Sequence, residues 1–388
     1  MLRSSLATTA KFGSFFSSGS QDTAHPWKIW TEDLQLITMN CFHEITLPMD
    51  PLTQALASYT LKRAAFPHVP RSTTIVMLVA GTIADLDLLS AYFGPSVFLT
   101  FYRTRCHSLF AALLFSLLVT LPILPSKRGS TVKQTSPLPI FIAALAASVF
   151  HLLMDTCQST GVELLWPFSA RRFALDWLPH LDLWILGILL AGILLPALSG
   201  LVTDEIGAKS KGPRGKVGAS VALATMILYI VLRFVLHGNA LAAMESRTYR
   251  GESPRKAAAF AESGSPFRWH GIVETDSALH DVEIEVGPAV ASFDPDAAIT
   301  SYKPESSPAL DAARDTTVAR RFLQAARFPK ASVEKTPEGF KVTLRAFPYT
   351  RDASSGWRVE ALIDTDPSGK ILSQELAWAP LSRRVGLR

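Results

Sequence analysis

Six apolar stretches, at 52–66, 74–92, 107–125, 137–155, 182–201 and 217–237, are separated by polar connections that carry Pro, Lys or Arg. Most of them reach the ~17–25 residues that a helix needs to cross about 30 Å of hydrocarbon. Backbone groups in lipid must be satisfied within their own segment, so stretches of this kind can only be helices. The expected fold is an α-helical polytopic membrane bundle of about five to six hydrophobic helices over 49–238, with 52–66 as a short half-span or tilted helix. Charged residues make up 18% of the chain and apolar ones 48%, against about a quarter charged in soluble domains. The apolar excess lies in blocks, which is the pattern of spans and not of a larger core.

Lys and Arg set the expected orientation, because short cytoplasmic connections carry the excess. Lys62, Arg63 and Arg71, then Lys127, Arg128 and Lys133, then Lys209, Lys211, Arg214 and Lys216 fall on one side. Only Arg103, Arg105, Arg171 and Arg172 fall on the other, which is the outward side in this reading, where Trp166, Phe168, Trp177 and Trp184 would form an interfacial belt. The net charge of +5 is spread over these connections without a basic run interleaved with aromatics, so no nucleic-acid partner is expected. Three cysteines, Cys41, Cys106 and Cys157, are too few for a disulfide framework.

Past Gly238 polar residues, Pro and Gly become frequent. Alternating segments at 281–287, 340–347 and 357–364 predict strands, and 308–327 predicts one amphipathic helix. Residues 239–388 are therefore expected to be a soluble α+β domain on the outward side. Residues 1–48, Ser-rich and free of acids before Asp22, read either as a disordered extension weakly resembling a transit peptide or as a start placed ahead of Met49.

Ionisable residues collect at the outward ends of the apolar stretches: Asp85 and Asp87 late in the second, His107 opening the third, His151 and Asp155 closing the fourth, and Asp176, His180 and Asp182 ahead of the fifth. Charge at membrane depth is costly, so such residues mark function by default. His151 and Asp155 are four apart and share a helix face. Asp85 and Asp87 are two apart, so both serve one site only if the helix loosens there or if one ligates while the other orients. Singly, each has a simpler reading as a cap, a surface turn or an interfacial acid. Together, on one side of an apolar bundle, they point to a divalent metal with mixed N/O ligands: Zn first, with Mn or Fe as alternatives. Cys106 and Cys157 would add soft ligands, against their simpler reading as small buried residues.

Several of these residues stand in a recognisable order. MDPLTQA at 49–55, GTIADLD at 81–87, YRTRCHS at 102–108, His151 with Asp155, GVELLWPF at 161–168 and the Asp before the next helix resemble the motifs of the YdjM-like family of inner-membrane metal-dependent hydrolases, itself distantly similar to zinc-dependent phospholipase C and the S1/P1 nucleases. The resemblance implies Asp85, Asp87, His107, His151 and Asp155 as metal ligands and a bacterial inner-membrane location. The chain departs from the family pattern at Gln54, Tyr102 and Cys106, where the family has His, His and Thr. A neutral amide is a poor ligand for a transition metal.

The expected function is hydrolysis of a small ester or phosphoester, including a lipid of the surrounding bilayer. Asp87 or Asp182 would act as general base, and Arg103 either as a clamp on a substrate oxygen or as an interfacial anchor. The competing expectation is a catalytically inactive scaffold of the same fold, whose C-terminal domain binds a protein that the sequence does not specify. A transporter would place its acids nearer mid-membrane and often show duplicated halves, and neither sign is present.

Overall fold

The structure is a computed structural model that describes residues 51–70, 72–123, 136–205, 215–287, 291–347 and 357–380. The extension expected over 1–48, and the basic residues Arg71, Lys127, Arg128, Lys133, Lys209, Lys211 and Arg214, lie outside the described residues.

Helix α1, Pro51–Ala65, opens on a proline whose fixed φ suits a first helical turn. Helix α2, Thr73–Ala80, stops at Gly81, and a 3-10 helix, Ile83–Phe93, continues it with a 42° bend. After α3, Pro95–Phe101, a 3-10 turn at Arg105–His107 leads into α4, Leu109–Thr120. Ser108 caps α4 by accepting a hydrogen bond from the Ala111 amide at 3.1 Å, which ends the preceding turn and places His107 just outside the helix. Helices α5 (Pro137–Thr156), α6 (Leu183–Glu205) and α7 (Lys216–Glu245) complete the bundle.

Among the described residues three helices are long and apolar enough to cross a membrane, or four if the bent pair of α2 and its 3-10 continuation is one span. The structure therefore supports fewer spans than the five to six expected. The 12 residues of α4 reach only about 18 Å at ~1.5 Å per residue, and the 15 residues of α1 carry Lys62 and Arg63 in their last turn. Leu114, Leu117 and Leu118 on α4 and Ile227, Leu228, Val231 and Val235 on α7 are exposed outside the bundle. Lipid removes the cost that such a surface would carry in water.

Small residues form the inside, as they do where helices associate in lipid. Ala143, Ala144 and Ala147 of α5 pack on Val76, Met77 and Ala80 of α2. A Cβ on Gly192 would lie 2.3 Å from that of Ala222, so α6 and α7 meet at this contact only with glycine there.

The change of composition at Gly238 has no counterpart in the backbone, because α7 runs through it to Glu245. Its last turns place Leu236, Ala240 and Met244 in a core with Trp269, Val282 and Ile284. Those residues come from an antiparallel sheet ordered β1 (Lys256–Ala261), β2 (Arg268–Glu274), β3 (Ala278–Val286), β4 (Ala291–Ser292), with β5 (Ile299–Tyr302) also paired to β3. A second antiparallel sheet runs β6 (Pro329–Thr336), β7 (Gly339–Ala346), β8 (Trp357–Thr365), β9 (Ile371–Pro380). The predicted strands fall within β3, β7 and β8, apart from their last residues, Gly287 and Phe347.

The single helix expected at 308–327 is instead two, α8 (Pro308–Arg314) and α9 (Thr317–Ala325). Thr316 turns its hydroxyl to the Ala319 amide at 3.1 Å and starts a new helix where a continuous one would have passed through. Both helices cover the second sheet through Leu310, Phe322, Val342, Leu344, Ala361 and Ile363.

This domain is fixed to the bundle by polar and aromatic contacts. Phe98 of α3 meets Trp378 of β9 at 5.3 Å. Arg233, the lone cation in the apolar run of α7, donates to the carbonyls of Trp177 and Ser265 at 2.9 and 3.2 Å and lies over the Trp269 ring.

Candidate metal centre

Four side chains from three parts of the sequence converge at one end of the bundle. His151 and Asp155 are one turn apart on α5, which Ser148 fixes against α2 by donating to the Ala80 carbonyl at 2.8 Å. His107 comes from the turn before α4 and Asp85 from the 3-10 helix after α2. His107 Nε2 lies 3.1 Å from Asp155 Oδ2, 3.4 Å from His151 Nε2 and 3.6 Å from Asp85 Oδ1. His151 Nε2 lies 3.3 Å from Asp155 Oδ2 and 3.7 Å from Asp85 Oδ1. His107, His151 and Asp155 are buried, and Asp85 is partly exposed.

The group fits a metal ion. Four donors arranged tetrahedrally at about 2.0–2.1 Å from zinc stand about 3.3–3.4 Å apart, and the five separations above, 3.1 to 3.7 Å, bracket that value. Asp155 Oδ2 is buried and has no hydrogen-bond partner among the described residues, although both imidazole Nε2 atoms are near it. Such an orphaned atom is costly unless something else satisfies it. With both imidazoles neutral, as metal ligands are, the carboxylates of Asp85, Asp87 and Asp155 face one buried guanidinium, that of Arg103, which leaves two negative charges for a divalent cation to balance.

Asp155 is held with one oxygen turned away from the group. Its Oδ1 accepts from Gln54 Nε2 at 3.2 Å, Arg103 Nη2 at 3.3 Å and Gln158 Nε2 at 3.4 Å. Arg103 also donates through Nη1 to Thr160 at 2.7 Å and through its backbone N–H to Asp87 Oδ2 at 2.7 Å. Burial opposes the charge on Arg103, but Asp155, Tyr102, Asp85 and Asp87 together outweigh it and keep the guanidinium protonated. Both terminal nitrogens of Arg103 are thus engaged within the protein and the side chain is buried, which makes it neither an interfacial anchor nor a free clamp.

The 3-10 winding explains how both aspartates reach the site. Residues two apart point about 160° apart on an α-helix but about 120° apart at three residues per turn. Asp85 accordingly approaches Nε2 of His107, while Asp87 Oδ2 stands 2.9 Å from Nδ1 of the same ring. Asp87 lies outside the four-residue group and its carboxylate faces the far nitrogen of the His107 ring, the usual position of a supporting carboxylate. At the head of this segment a Cβ on Gly81 would lie 2.0 Å from Ser58 Oγ, so glycine lets α2 end against α1.

The sequence profile of the YdjM inner membrane protein family matches residues 49–240. This part of the chain belongs to the YdjM family. Comparison with curated proteins and with solved structures returned no match.

The YdjM region contains every residue of the metal group, and the three positions singled out in the sequence, Gln54, Tyr102 and Cys106, have clear surroundings. Gln54 is buried beside Asp155 and donates to it, so the amide has taken an orienting role next to the ligand set. Tyr102 stacks on Phe98 at 4.5 Å, and burial pushes its phenol up to about 12, so it stays protonated. Cys106 and Cys157 are outside the group, Cys157 being packed with Met154 and Leu178.

The other acids expected at the site are engaged elsewhere. Asp182 caps α6, with Oδ1 accepting from the Trp184 and Ile185 amides at 2.9 and 3.1 Å and Oδ2 from the Tyr229 hydroxyl at 2.9 Å. With both oxygens committed it is a poor general base, which corrects the role expected of it. Asp176 pairs with Arg327 of the C-terminal domain through Nη1–Oδ1 at 2.5 Å and Nη2–Oδ2 at 2.8 Å. His180 meets Gln158 Oε1 through Nδ1 at 3.2 Å and so supports a residue that supports Asp155. Gln158, Thr160, Tyr229 and Arg327 carry no sequence signal of their parts. Arg233, a cation alone in an apolar helix, does carry one.

Proposed function

We propose that this chain is a membrane-bound metal-dependent hydrolase that cleaves an ester or phosphoester at the level of the lipid headgroups. The observation that carries this reading is the convergence of two imidazole Nε2 atoms with Asp155 Oδ2 at 3.1–3.4 Å, with Asp85 slightly farther off at 3.6–3.7 Å. Two histidines and one carboxylate form the donor set of catalytic zinc sites that keep a position open. A divalent cation held there, zinc first and manganese or iron as alternatives, supplies Lewis acidity for water activation and for polarising a carbonyl or phosphoryl oxygen.

The chain's own residues supply the rest. Asp87 faces the His107 ring at Nδ1, while Gln54, Arg103 and Gln158 fix Asp155 through Oδ1. Asp85 is the most exposed of the four and has a carboxylate oxygen, Oδ2, without a hydrogen-bond partner among the described residues. It is the residue placed to take a proton from water. The outward orientation rests on the Lys and Arg bias between the two sets of connections. Alkaline phosphatase fused to the C-terminus should be active, and an inactive fusion would reverse that orientation.

Gln54, standing where the family has His, favours a second reading in which the fold and the cluster persist without catalysis. Elemental analysis of detergent-purified protein beside the His151→Ala/Asp155→Ala double variant tests the site itself. Near-stoichiometric metal in the parent, lost in the variant, is expected; no metal in either would end the hydrolase reading. A phosphoesterase screen of the metal-loaded parent then separates enzyme from inactive relative.

A further inference from the structure

The connection from Cys157 to Asp182, which closes over the metal end of the bundle, has two differently engaged parts. Residues 176–178 face the C-terminal domain and α7: Asp176 pairs with Arg327, and Trp177 meets Phe234 of α7 at 5.0 Å. Residues 165–172 have another surface. Phe168 is 92% exposed, at the tip of a turn in which its amide and that of Ser169 both bond the Leu165 carbonyl at 2.9 and 3.1 Å. Trp166 lies edge-on at 6.1 Å to Phe110, which is itself exposed on the first turn of α4. This part of the connection therefore folds back towards the lipid-facing side of α4.

Cations lie beside these apolar tips. Arg105, exposed two residues before His107, stacks over Phe101 at 4.9 Å, and Arg171, also exposed, lies over Phe173 at 5.4 Å. Neither has an ion-pair partner within 4 Å among the described residues. Arg172 is 3.7 Å from Glu163 and donates to the Tyr102 carbonyl at 3.5 Å, beside Arg103. Aromatic tips next to unpaired arginines at the end of apolar helices match the headgroup level of a bilayer, where the rings enter the acyl boundary and the cations attract anionic lipid.

We propose that Arg105 and Arg171, with Phe168 and Trp166, form a docking collar for the headgroup of an anionic phospholipid at the rim of the metal centre. The collar names the substrate class of the hydrolase and in that respect rests on the reading above, with the lipid entering sideways from the leaflet. Charge decides in favour of lipid over a neutral apolar partner, since the collar sets its rings beside cations that have no ion-pair partner within 4 Å among the described residues.

Binding can be measured without turnover, by titrating the detergent-solubilised full chain with fluorescent phosphatidylglycerol and, in parallel, with phosphatidylcholine of the same acyl chains. Phosphatidylglycerol is expected to bind on the order of 25-fold more tightly. R105Q/R171Q should erase that preference, at roughly fivefold per arginine, while phosphatidylcholine binding and metal content stay unchanged. Phe168→Ser should weaken both lipids alike. Equal affinity of the parent for the two lipids, or a preference that survives R105Q/R171Q, would overturn the collar. If the double variant fails to fold, raising the salt on the parent serves instead: loss of the preference supports the collar and persistence refutes it. A parent without metal that still prefers phosphatidylglycerol would overturn the hydrolase reading alone.

Discussion

His107 lies between two carboxylates, with Nδ1 2.9 Å from Asp87 Oδ2 and Nε2 3.1 Å from Asp155 Oδ2. The two carboxylates thus have different duties although both are buried. Asp87→Asn keeps the shape but removes the charge that faces the ring, and is expected to weaken metal retention by about 10–100-fold. Competition against a chelator measures it, and retention equal to the parent would show that Asp87 plays no supporting part.

Gln54 is buried beside Asp155 of the candidate metal group, its Nε2 3.2 Å from Asp155 Oδ1. Gln54→His replaces an amide donor with an imidazole that can ligate. More metal per chain, or retention at lower free metal, is the expected outcome by elemental analysis. Unchanged content would mean that position 54 only orients Asp155.

Arg327 and Asp176 join the C-terminal domain to the connection over the site through a two-pronged pair. Removing the cation leaves a nearly buried carboxylate without its partner. Because Arg327 is 29% exposed, Arg327→Ala should cost about 1–3 kcal/mol, below the range for fully buried pairs. Arg327→Lys should recover only part, since an ammonium cannot make the parallel pair. Thermal unfolding in detergent reads both, and a midpoint unchanged in Arg327→Ala would remove this pair from the junction.

Burial, with the charge of Arg103 adding to it, lowers His180 to about 4, whereas an unfolded histidine titrates near ~6.5. Between these values the unfolded chain binds the extra proton, so stability falls as pH drops below 6.5 and this loss levels off below 4. The loss from this residue is on the order of 3 kcal/mol at most. His180→Gln should flatten the decline in unfolding midpoint between pH 7 and 4.5. Parallel declines in parent and variant would exclude His180 as its source.

The membrane part was legible because its physics is local. Lipid forces an apolar stretch to satisfy its own backbone, so runs such as 137–155 and 217–237 are helices wherever they pack. The four-residue spacing of His151 and Asp155 put both on one face before any neighbour was known. The same local reasoning overran at 308–327, where the Thr316 hydroxyl captures an amide and starts a new helix. It also divided the chain at Gly238, although the helix continues and exchanges lipid for the sheet core on its outer face.

By itself, then, the sequence determined that apolar helices carry His and Asp at one common end, because residue order and helical period suffice for that. Only the tertiary structure decided which acid joins the metal group, which faces a ligand from behind and which caps a helix. Asp85 and Asp87 differ by a 3-10 winding that places them on opposite nitrogens of a single ring. Asp182 is removed from the site by Tyr229, and Gln54 is brought into it by a contact across 101 residues of chain. Such roles depend on which donor stands within about 3 Å of which oxygen, and that distance is set by the packing of whole helices, which no local pattern encodes.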